Sequence, residues 1–139
     1  MNTNKTQAEQ LPQDAVMQSV LINELRINNY YELKGNVLGG GVCQLKNLND
    51  FIHIGNLIES DLVKPIILTN EWLINFGFKE TKEDKKIKWF TKDRLDIVLG
   101  EENFIVFDHL VIKHIKYVHQ FQNLYFSLKQ NELTVAQSR

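Results

Sequence analysis

One cysteine, two prolines and no long apolar run define this 139-residue chain first by what they exclude. With Cys43 alone there is no internal disulfide, which fits a reducing compartment. Nothing near it in sequence would activate the thiol, so Cys43 reads as a small buried apolar side chain rather than a nucleophile. No apolar stretch reaches the length of a membrane span. The opening residues MNTNKTQAEQLPQDAV lack both the basic start and the apolar core of a secretory signal. A cytoplasmic location is the expectation by elimination. Charge of one sign is missing too: 16 basic against 17 acidic residues leave a net of -1, so no global field draws the chain to nucleic acid or anionic lipid.

The signatures of chemistry are equally sparse. The triple glycine Gly39-Gly40-Gly41 lacks the Gly-Lys-Ser/Thr ending of a phosphate loop and reads as a flexible hairpin turn. His109, His114 and His119 recur every five residues, a spacing that puts no two on one face of a helix or a strand. Glu101-Glu102 falls in a predicted hairpin tip, where solvated carboxylates are the default. The sequence therefore names no catalytic residue, no metal ligand and no cofactor.

What is present is an ordinary globular composition, 43% hydrophobic and 24% charged, enough to build one core without disulfides or metals. Residues 1–19 read as a polar, frayed tail, with Asp14 an optional cap for a short helix, and residues 20–139 as a single α+β domain. From Leu25 short β-type runs are punctuated by Asn28-Asn29, Lys34-Gly35-Asn36 and the triple glycine. With strands read at Val37-Leu38, Val42 to Leu45 and Phe51 to Ile54, they predict a small curled sheet or partial barrel. A short helix follows Lys64-Pro65, with Thr69 as its N-cap, Leu68 against Leu73 as a hydrophobic staple, and Gly77 as its stop. Two turns are marginal alone, so Trp72 and Phe76 are expected to anchor it.

Lys79 to Lys88 is a mixed charge run, read as a solvated hairpin flank; seven basic and five acidic residues from Lys79 to Asp96 leave a net of only +2. Strands at Ile87 to Phe90, Leu95 to Leu99, Phe104 to Phe107 and Leu110 to Lys116 predict a β-meander. Tyr117 to Leu133 is the clearest helix. At about 100° per residue, Tyr117, Val118, Phe121, Leu124, Tyr125 and Leu128 form a core-facing stripe. His119, Gln122, Asn123 and Phe126 gather on a second arc. That arc is either covered by another element or a contact face with one aromatic anchor. Asn131 is the candidate for a left-handed helix end.

Three segments carry a resemblance: ELRINNYYE (Glu24 to Glu32), PIILTNEWLINFGF (Pro65 to Phe78), and KYVHQFQNLYFSL with its trailing NEL. Together they resemble a family of small uncharacterised proteins common in Bacteroidetes genomes and their phages or mobile elements. The patterns there are like ELRIGNYV, IPLTEEWLLKFGF and YVHQLQNLYFALTGEEL. Asn28 and Gln130 stand where that pattern has glycine. The resemblance implies a genomic setting and no activity.

Two functional expectations follow. The first is a non-enzymatic interaction module that meets a protein partner through His119, Gln122, Asn123 and Phe126. The second is a nucleic-acid-binding accessory protein that uses Arg26, Tyr30, Tyr31 and Lys34 as phosphate and stacking groups. An enzyme ranks third.

Overall fold

The computed structural model describes residues 24–35, 40–59 and 62–135. The expected tail at 1–19, its optional helix and the strand at Val37-Leu38 lie outside the described residues. The chain divides into two compact units, Met1–Ile66 and Ile67–Arg139, and its class is α+β.

In the first unit, β1 (Tyr30–Leu33) pairs antiparallel with β2 (Gly41–Gln44) on one side and β3 (Val63–Lys64) on the other. Strand alternation along β1 sends Tyr31 and Leu33 inward, where they join Leu25, Leu45, Ile54 and Val63 in one core. Asn28 enters this sheet at φ 85, the left-handed region that asparagine tolerates best after glycine. Its N–H donates to Leu45 O, while the buried Asn29 side chain accepts from Arg26 N at 2.6 Å. Gly40 (φ 66) is required for a second reason, because a Cβ there would collide with the Gly35 carbonyl.

The strand expected at Phe51 to Ile54 is instead part of helix α1 (Leu48–Glu59). Asn47 Oδ1 accepts from Asp50 N at 2.9 Å, and the Asp50 carboxylate accepts from Lys46 N at 3.1 Å. The first bond satisfies an N–H that a helix start leaves without an intrahelical partner, and the second ties the residue before the Asn47 cap to the first turn. A four-residue run with three apolar side chains fits a strand or a helix turn equally well, and here the cap decides.

In the second unit, α2 (Asn70–Asn75) begins as expected, with the Thr69 hydroxyl accepting from Trp72 N. Its own backbone N–H and the Thr69 hydroxyl hold the Glu71 carboxyl below the usual carboxylate range. The helix ends in a Schellman arrangement: Phe78 N donates to Leu73 O and Gly77 N to Ile74 O, both at 2.9 Å. Gly77 sits at φ 93, and a Cβ there would also press on the Lys92 ammonium. Leu73 and Phe76 are fully buried, whereas Trp72 is half-buried, its ring tilted on Phe76 at 5.5 Å between centroids.

Five strands follow in sequential order: β4 (Lys79–Asp84), β5 (Ile87–Lys92), β6 (Leu95–Leu99), β7 (Phe104–Phe107) and β8 (Leu110–Lys113). The charged run at Lys79 is thus an edge strand, exposed at all six positions and held by pairing to β5 rather than by propensity. Asp93-Arg94 and Asp108-His109 close two of the hairpins, both residues of each pair at positive φ, as type I′ turns require. The registers put Phe90, Ile97, Ile105 and Ile112 in one cross-strand row, the first three fully buried.

Helix α3 (Val118–Lys129) packs against this meander. The Phe121 ring lies 5.4 Å from Phe78, and the Tyr125 hydroxyl donates to Asp93 Oδ2 at 2.7 Å, tying the helix to the β5–β6 turn. Lys129 Nζ stands 4.9 Å over the Phe107 ring. At the other end Gln120 Oε1 accepts from Lys116 N and Tyr117 N. Gln130, not Asn131, takes the left-handed end, at φ 61, and its N–H donates to Phe126 O. A non-glycine residue there costs on the order of 1 kcal/mol.

Candidate functional site

The second arc of α3 faces largely inward. His119 and Gln122 are both 0% exposed. Gln122 Nε2 donates to Leu133 O at 3.0 Å, which fastens the segment after the helix back onto it. The His119 ring stacks on Tyr117, with centroids 5.8 Å apart and 13° between planes. Asn123 and Phe126 are half-buried, and the Asn123 carbonyl accepts from the Ser127 hydroxyl. Two of the four residues are therefore interior groups, Gln122 holding the C-terminal segment, and a partner in contact with this face would meet Asn123 and Phe126.

The four residues of the nucleic-acid expectation divide in a similar way. Tyr31 is 7% exposed and belongs to the core of the first unit. Burial first, then Cys43 and Asp50, push its hydroxyl up to about 12. Tyr30 and Lys34 are half-buried, and Arg26 Nη1 donates to Ile27 O. On the outward row of β1, Glu32 pairs with Lys64 at 2.8 Å, placing a carboxylate beside the one outward tyrosine. A sheet face with one aromatic and an interposed ion pair is a poor platform for stacked bases.

Tyr125 behaves like Tyr31: burial, then the bond to Asp93, raises its hydroxyl well above the ordinary value of 10. Both folded values lie above the unfolded one, so this stabilisation is fully present below about pH 10 and disappears as pH climbs through the folded values. The melting temperature should accordingly drop steeply above about pH 10, and Tyr31→Phe with Tyr125→Phe should flatten that drop. A melting temperature equal at pH 9 and pH 12 would contradict the burial of both hydroxyls.

Sequence reasoning missed a concave feature of the second unit. At the open end of the meander, the β4–β5 tip (Asp84, Lys85, Lys86, Ile87) and the β6–β7 loop (Gly100, Glu101, Glu102) form the walls of a groove of about 630 Å³. Its floor is apolar: Ile87, Val98 and Phe104. Ile87 remains 42% exposed. Gly100 lies beside Ile87, where a Cβ would make an ordinary contact 3.5 Å from Ile87 Cγ1. One lip carries Lys85 and Lys86 beside Asp84, a net positive charge, and the other is acidic (Glu101, Glu102). A smaller concavity of about 330 Å³ lies on the far side of that acidic loop, bordered by Asn103, His114, Ile115 and Lys116. Asn103 Nδ2 donates to Ile115 O at 3.1 Å and fixes the loop between the two hollows. The signal available in sequence was the charge asymmetry of two hairpin tips; their shared end of the sheet follows only from the register.

Among the described residues no three His, Cys, Asp or Glu side chains come together to hold a metal ion. Nor is any described helix long and apolar enough to cross a membrane. No family model, no curated protein and no solved structure matches the chain.

Proposed function

We propose that this chain is a non-enzymatic interaction module whose contact site is the groove between the β4–β5 tip and the β6–β7 loop. The observation that carries the reading is the pairing of an apolar floor with lips of opposite charge. Such a site complements an extended segment of a partner protein: an apolar side chain on Ile87 and Phe104, an acidic flank toward Lys85 and Lys86, and a basic flank toward Glu101 and Glu102. The acidic lip disfavours a phosphate backbone, which supports the protein-partner reading over the nucleic-acid one. A cytoplasmic setting suits a chain whose one cysteine is unpaired.

The test is selection of peptides from a random library on the intact protein. Selected sequences should share an acidic–apolar–basic pattern, and Lys85→Glu with Lys86→Glu should weaken them by about tenfold without shifting the melting temperature. Peptides indifferent to that reversal would remove the groove as the site. Sub-micromolar oligonucleotide binding at physiological salt would reverse the ranking of the two readings.

A further inference from the structure

The two edges of the five-stranded sheet are built to opposite rules. The β4 edge, KETKED, is charged, fully exposed and interrupted by a register shift between Glu80 and Lys82. Charge and irregularity are how proteins blunt an edge against pairing with another chain. The β8 edge, LVIK, has neither a bulge nor a proline. Its Leu110 and Val111 are 60% and 57% exposed.

The hydrogen-bonding direction along β8 follows from its register. Phe107 and Leu110 close a two-residue turn and so form a hydrogen-bonded pair, as do Ile105 and Ile112 one step further. Val111 and Lys113 therefore direct their N–H and C=O groups away from β7, along the open edge.

We propose that this edge pairs antiparallel with β8 of a second copy, joining two five-stranded sheets across a twofold axis at Ile112. One register satisfies both outward residues within the strand. Val111 of each copy stands opposite the partner's Lys113, and each of these two pairs exchanges both of its bonds. Shifting the register by two in either direction sets one outward residue opposite position 109 or 115, beyond the end of the strand. The same register keeps the two Lys113 side chains out of direct opposition. The hydrogen-bond pattern is thus self-complementary, as an isologous interface demands. The inference is independent of the groove, which uses no residue of β8.

Sedimentation of the intact protein over rising concentration should show a monomer–dimer equilibrium. Val111→Lys, at a position already more than half exposed, should weaken it by at least about tenfold with the tryptophan-detected melt unchanged. In a Cys43→Ala background, Ile112→Cys should cross-link under mild oxidation, because paired Cα atoms at a non-hydrogen-bonded position stand about 4.5 Å apart, within disulfide reach. Thr81→Cys on the charged edge should not. A wild-type chain still monomeric at about 0.5 mM would overturn the proposal. So would a Val111→Lys variant that dimerises as tightly as wild type, or equal cross-linking at positions 112 and 81.

Discussion

Truncating Phe121 to alanine is expected to destabilise the second unit by about 3–5 kcal/mol. The ring is 0% exposed and meets Phe78 at 5.4 Å, so the loss combines transfer energy, a cavity and a ring–ring contact. Phe126→Ala, one face round the same helix, should cost clearly less, because Phe126 is only half-buried. Both tryptophans of the chain, Trp72 and Trp89, lie in Ile67–Arg139, so their emission during denaturant unfolding reports that unit alone. A Phe121→Ala midpoint equal to wild type would mean that α3 does not dock through this stripe. A Phe126→Ala loss as large as that of Phe121→Ala would mean that the second arc is core throughout.

Phe76→Ala should have an effect of the same size, about 3–5 kcal/mol, and should exceed that of Trp72→Ala. A six-residue helix cannot hold itself in water and relies on the side chains that fasten it. Leu73 and Phe76 are those side chains, both essentially without solvent contact. Trp72 covers Phe76 from outside, and its partial burial sets its truncation at about 1–2 kcal/mol. Phe76 also carries the carbonyl that accepts from Lys92 Nζ at 2.7 Å, a cation placed where the helix dipole favours one. The comparison is made by denaturant titration of both variants. Because Trp72→Ala leaves only Trp89 emitting, circular dichroism serves as the common signal. A larger loss for Trp72→Ala would reverse the assignment of the anchor.

Local chemistry made part of this architecture legible. Thr69 and Gly77 announce the start and stop of α2, and each acts within a few residues of itself. The apolar, partly β-branched runs Leu95 to Leu99 and Phe104 to Phe107 are likewise local. The apolar run at Phe51 was misread because its decisive signal, Asn47 followed by Asp50, lies outside the run. The sequence KETKED has no apolar pattern at all and becomes a strand only because β5 offers it a partner. His119 and Gln122 look like surface groups by type; both are buried, Gln122 bonded to the returning chain at Leu133 and His119 stacked on Tyr117. The groove was invisible for a similar reason, since its two lips are about fifteen residues apart and meet only through the register of β5 with β6.

The sequential order of the meander also governs how the protein folds. Every pairing from β4 to β8 joins neighbours in the chain, three of them across two-residue turns, so each step closes a short loop. Hairpins of this kind form in roughly 1–10 μs, and low contact order favours rapid folding. The first unit differs: β1 must find β3, pairing Glu32 with Lys64 across the whole of β2 and α1. That closure is entropically the costlier one. In refolding, tryptophan emission, which reports the meander, should therefore recover ahead of any probe placed between β1 and β3.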